Sequence, residues 1–108
     1  MEWPLEKRAK LALKVRERAI SIRDQETLNG RREGLSYEEI SRRADERIMD
    51  LLGSIGFERV HEGMELERAG IPMIFRQSET RLLFETVQGK VVSISKDDAI
   101  KLDLFEIP

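Results

Sequence analysis

His61 is the chain's only histidine, standing between Val60 and Glu62 among the acids Glu58, Glu62, Glu65 and Glu67. An imidazole beside carboxylates could act as a general base or a metal ligand, but both tasks need partners converging at fixed spacing. HxH, HExxH and cysteine pairs are all absent, so His61 reads as a surface residue and the glutamates as the solvated face of a strand. Asp97, Asp98 and Asp103 could hold Mg²⁺, although adjacent aspartates at a helix start read more simply as caps favoured by the helix dipole. No serine lies in a GxSxG setting and no Gly-rich loop joins a strand to a helix. With no cysteine there is no thiolate nucleophile and no disulfide framework. The expectation is a protein that is not an enzyme, with no cofactor and no metal.

These side chains must be positioned by a few elements, and the stretch from Leu35 to Phe57 is the one the others are organised around. Tyr37, Ile40, Ala44, Ile48, Leu51 and Ile55 recur by three or four positions, which places them on one stripe of a helix, widened by Met49 and Leu52. Ser36 and Glu39 have the spacing of a capping box, and Leu35 and Ile40 that of a hydrophobic staple. Gly53 weakens the helix and Gly56 supplies a left-handed stop, so its end is predicted between Ile55 and Phe57. Central in the stripe, Ile48 is the predicted core residue.

Trp3 and Pro4 open an earlier helix, expected to run to about Leu28, with Asn29 and Gly30 as its C-cap and Arg31 to Gly34 as a polar turn. So short a turn predicts an antiparallel helical hairpin. Leu5, Ala9, Leu11, Ala12, Leu13, Val15, Ala19, Ile20 and Ile22 cover an arc of roughly 200° on a helical wheel, wider than one partner helix covers. The first helix is therefore wedged against a sheet as well, or part of its arc meets another chain. Arg8, Arg16 and Arg23 fall in the same arc, where a charge must be paired or reach water along its stem. Lys7, Lys10, Lys14 and Arg18 form a basic ridge on the other side.

After Phe57 the period changes from helical to alternating. Phe57 to Val60, Met64 to Glu67, Met73 to Gln77, Arg81 to Val87 and Lys90 to Ser95 read as strands, with turns at Ala69–Pro72, around Ser78–Thr80 and at Gln88–Gly89. Val92 and Ile94 point one way and Val91, Ser93 and Ser95 the other, the pattern of a sheet with one wet face. Ser95 and Asp98 suggest a cap for a short helix, and Leu102, Leu104, Phe105 and Ile107 form an apolar tail. The predicted class is α+β, an N-terminal antiparallel helical hairpin packed on a C-terminal antiparallel β-meander of three to five strands. We expect a single domain over 1–108, with the hairpin over 1–56 and the sheet, short helix and tail over 57–108.

LSYEEISRR resembles the first helix of a helix-turn-helix, a DNA-reading unit, but Ala44 to Arg47 continue the helix where that unit turns. GSIG at Gly53 to Gly56 resembles the GxxG of KH domains without the basic residues of that loop. Over about half the chain, LLGSIGFERV, IFR, VVSIS and a short final helix resemble the α-β-β-β-α arrangement of HicA-type mRNA-interferase toxins and double-stranded-RNA-binding domains. Those toxins carry a catalytic histidine in a Gly-Ser-His stretch. Here Gly63, Met64 and Glu65 stand in its place and His61 is displaced, so the resemblance does not extend to catalysis.

Composition narrows the function further. The chain has 108 residues, 40% hydrophobic and 37% charged, with a net charge of −2, enough apolar content for one core beneath a charged skin. Basic and acidic residues number 12 and 10 over Met1–Arg47, and 7 and 11 over the remainder. No apolar run resembles a signal peptide or a membrane span, and a cytoplasmic location is expected. The preferred expectation is a non-catalytic protein–protein interaction or regulatory protein, binding a protein partner or itself as a homodimer through Leu13 and Ile20, which share one margin of the wide arc. The alternative is a nucleic-acid-binding module using Lys7, Lys10, Lys14, Arg18, Arg31 and Arg32. Only 6% of the residues are aromatic, and they are not interleaved with basic ones as base stacking would require.

Overall fold

The computed structural model of the chain describes residues 2–60, 77–87 and 89–104, with residues 103 and 104 described by backbone alone. Its elements are α1 (Leu5–Glu33), α2 (Tyr37–Ser54), β1 (Glu58–Arg59), β2 (Arg81–Glu85), β3 (Val91–Ser95) and α3 (Lys96–Leu104). Among the described residues, two packed helices precede a three-stranded antiparallel sheet and a short helix, the α+β class that the change of hydrophobic period predicts. His61, the strand readings over Met64 to Glu67 and most of Met73 to Gln77, the turn at Ala69–Pro72, Gln88, the Asp103 side chain and the tail residues Phe105 and Ile107 lie outside what is described.

The first helix is longer than its sequence suggests. Gly30 does not end α1; it lies buried inside the helix, where Ile40 of α2 packs so closely that an added Cβ would meet Ile40 Cγ1 and stand 2.9 Å from Cδ1. The glycine serves a close helix crossing, and Gly34, at φ 74°, is the left-handed cap. Gly34 N–H donates to the Arg31 carbonyl at 3.2 Å and Leu35 N–H to the Gly30 carbonyl at 2.9 Å, a Schellman arrangement that satisfies the last carbonyls. At the other end Pro4 is the N-cap and Trp3 is clamped. Trp3 N–H donates to Gln77 Oε1 at 2.9 Å, Gln77 Nε2 donates to the Trp3 carbonyl at 2.7 Å, and Lys7 Nζ lies 4.1 Å above the indole.

In α2 the Ser36 hydroxyl accepts from Glu39 N–H at 3.2 Å, as the capping spacing predicts, and the helix stops at Ile55 with Gly56 at φ 104°. Ile40, Ala44, Ile48 and Leu52 form its buried stripe. Tyr37 does not join them, being 84% exposed. Its side chain lies instead along the hollow beside α2, with Ser41, Asp45 and Met49. The two helices are also joined by charge: buried Glu26 of α1 faces Arg47 Nη1 at 2.8 Å and Arg43 Nε at 3.3 Å. Arg43 also donates to Glu33. That hydrogen bond, then the charges of Glu33 and Glu26, hold the Arg43 guanidinium above its ordinary pKa.

In the sheet the order is β1-β3-β2, so β3 is central and β1 pairs with it rather than with β2. Phe84 stands opposite Val92 and Leu82 opposite Ile94, and these two cross-strand pairs form the core face. Both strands are shorter than the alternation suggested, β2 ending at Glu85 and β3 beginning at Val91: beyond them Thr86 N–H donates to the Lys90 carbonyl at 2.7 Å and Gly89 sits at φ 80°. The second face is not uniformly wet. Ser93 and Leu83 are both buried there, and the Arg81 side chain spans all three strands, donating to Ser93 Oγ at 3.0 Å and lying 3.6 Å from Glu58 of β1. In α3, Asp98 N–H donates to Ser95 Oγ at 3.1 Å, the expected cap.

Among the described residues, one hydrophobic cluster joins the layers: Trp3, Leu11, Ala19 and Ile22 from the first helix and its approach, Ile48 and Leu52 from the second, then Phe57, the sheet pairs, Ala99 and Leu102. Ile48, at the centre, is fully inaccessible. The Phe57 and Phe84 rings meet at 6.2 Å in a tilted arrangement that suits their quadrupoles.

Candidate functional site

The arc of α1 is divided by this packing. Leu11, Ala19 and Ile22 are buried, and Leu5, Ala9, Ala12 and Val15 pack half-buried against the core. Leu13 and Ile20 stay outside, 56% and 40% exposed. Seven positions apart, they fall on one line along the helix, and Leu28, 54% exposed, lies eight positions beyond Ile20. The wide arc is therefore partly taken by α2 and the sheet and partly left facing solvent.

Beside Leu13 a groove of about 140 Å³ opens between α1 and the end of the β2–β3 hairpin. Its floor is Ile48, Leu52, Phe84 and Val92, and Ala9, Ala12 and Ala19 of α1 leave the space, because methyl side chains do not reach the strands opposite. Arg16, Glu85 and Thr86 stand at its edge. Arg16 and Arg23 are exposed at the rim of the arc and Arg8 is buried; Arg16 and Arg8 both have interactions within the chain. No sequence signal marks the groove; it arises from where three alanines land against a strand end.

The six basic candidates divide by position. Lys10 and Lys14 are exposed on the ridge; Lys7 is half-buried over the Trp3 ring, and Arg18 is half-buried with an interaction inside the chain. Arg31 and Arg32 are exposed in the last turn. At 1.5 Å per residue they lie about 26 Å along the axis from Lys14, so the ridge and the terminal pair form two separate basic patches. A wider hollow of about 740 Å³ beside α2 mixes Glu38, Asp45, Glu46 and Asp50 with Arg42, Arg59 and Lys90, so it concentrates no field of one sign.

Among the described residues, no three histidine, cysteine, aspartate or glutamate side chains converge in a way that could hold a metal ion. The Asp98 carboxylate lies 3.8 Å from Lys101 Nζ and packs over Gly56, where an added Cβ would be 3.0 Å from Oδ2. Among the described residues, no helix is long and apolar enough to cross a membrane. No protein family, curated protein or solved structure matches this chain.

Proposed function

We propose that this chain is a small non-catalytic interaction protein that binds a second copy of itself through the outer margin of α1. The observation that carries the reading is the exposure of Leu13 and Ile20, 56% and 40%, on a helix whose other apolar positions up to Ile22 are buried or half-buried. Two large aliphatic side chains on one line, the first of them at the edge of an apolar groove, gain from removal from water. A two-fold contact uses such a patch twice, because each copy offers the other the same surface.

Sedimentation equilibrium tests this directly. The wild type is expected at twice the 12.6 kDa chain mass at micromolar concentration. Leu13→Glu/Ile20→Glu is expected at the chain mass with an unchanged far-ultraviolet spectrum, since both positions lie outside the core. A wild type that stays monomeric at hundreds of micromolar overturns the reading. Nucleic-acid binding is the second reading, supported by the exposed Lys10 and Lys14. Neutralising both should flatten the salt dependence of RNA or DNA affinity by about one to two units, and absence of any binding at low salt removes it.

A further inference from the structure

Beside the Leu13–Ile20 line, α1 carries a second exposed row at seven-residue spacing: Lys10, Glu17 and Asp24. Heptad spacing drifts only about 20° per repeat on a straight helix, so the row stays alongside the apolar line throughout. Its charge changes sign from the N-terminal to the C-terminal end. Two copies laid parallel would set Lys10 against Lys10 and Asp24 against Asp24. Laid antiparallel, they set Lys10 against Asp24 at both ends.

We propose that α1 pairs antiparallel with α1 of a second copy about a two-fold axis at Glu17, with each Leu13 against the other copy's Ile20 and each Lys10 facing the other copy's Asp24. The proposal rests on the self-association reading and deepens it by specifying orientation and register. From an axis at Glu17, Leu13 lies four residues to one side and Ile20 three to the other, about 6 and 4.5 Å along the helix. They therefore come within about 1.5 Å of facing each other. Lys10 and Asp24 stand seven residues to either side, about 10.5 Å, and face each other with no offset. Leu13 lines the apolar groove, so the second copy's Ile20 lands at the groove's mouth and gains contacts it lacks in the monomer. The axis itself brings Glu17 beside its own mate. That like-charge contact opposes association and makes a variant with tighter binding predictable.

The test is sedimentation equilibrium of the full chain at low ionic strength, with circular dichroism on every variant. Lys10→Glu and Asp24→Lys should each weaken dimerisation by about three- to tenfold, since each sets like charges together at both ends. The double variant Lys10→Glu/Asp24→Lys restores both contacts with their signs exchanged and should return to within about twofold of wild type. Glu17→Gln should dimerise more tightly than wild type. A dimer indifferent to the single reversals, or a double variant weaker than either of them, overturns the antiparallel register and leaves self-association standing. A monomeric wild type overturns both.

Discussion

Glycine to alanine inside a helix ordinarily stabilises by about 0.5–1 kcal/mol, because alanine gives up less backbone entropy. This protein offers that substitution twice, with opposite expected signs. Gly53 lies exposed near the end of α2, and an added Cβ there has nothing within 4 Å. Gly53→Ala should stabilise by about 0.5 kcal/mol. At Gly30 the same methyl would meet Ile40 Cγ1 and lie 2.9 Å from Cδ1, closer than real Cβ atoms approach. Overpacking costs about 1–3 kcal/mol, and subtracting the propensity gain leaves Gly30→Ala destabilising by up to about 2.5 kcal/mol. Denaturant unfolding with slopes compared between variants measures both, and each kcal/mol lost by Gly30→Ala corresponds to a fall of about 4–8 °C in Tm. The cause is separable. Ile40→Ala alone should cost about 2–3 kcal/mol as a buried truncation. It removes Cγ1 and Cδ1, however, leaving only Cβ, which would lie 3.5 Å from the new methyl. In that background Gly30→Ala should turn neutral or stabilising, a coupling of about 1–2 kcal/mol. Equal stabilisation by alanine at Gly30 and Gly53 would refute the close crossing.

Further outcomes follow from the same structure. Ile48→Ala should lower stability by about 2–5 kcal/mol in denaturant melts, because the side chain is fully inaccessible between the helices and the sheet; an unchanged midpoint contradicts the packing. Removing the Ser36 hydroxyl by Ser36→Ala should cost about 1 kcal/mol by the same measurement. Trp3 is the only tryptophan and is 2% exposed, so Gln77→Ala, which removes both hydrogen bonds to its backbone, should red-shift emission and raise acrylamide quenching. Arg43 has a raised pKa, and the sign follows: its contribution is fully present below the ordinary arginine value and is lost only as pH rises through the folded one. Wild type and Arg43→Gln should therefore show parallel stability curves between pH 7 and 10, and curves that converge in that window contradict the assignment.

What could be read from the sequence alone is what interactions within about four residues decide. The Ser36–Glu39 spacing, the stop at Gly56, the Ser95–Asp98 cap and the stripe through Ile48 all depend on local geometry, and all are found where the residues predict. The change of period at Phe57 likewise separates helices from sheet. Gly30 misled because a C-cap and a tight crossing both call for a residue without a side chain, and only the position of Ile40 on another helix distinguishes them. Tyr37 has the stripe's spacing but lines the open hollow beside α2, where no other helix among the described residues covers it. For the candidate surface, the excess apolar arc was legible, but which members remained outside was not. Burial of Ala19 and exposure of Ile20 follow from where α2 and the strand ends stand around α1, contacts made across tens of residues that no window on the chain contains. The gathering of Arg43 and Arg47 onto Glu26, and of Ser93 beneath Arg81, is of the same kind. Charged residues on helices and strands are compatible with many neighbours, and only the tertiary structure selects one, because the energy of each pair depends on a separation that the sequence order does not set.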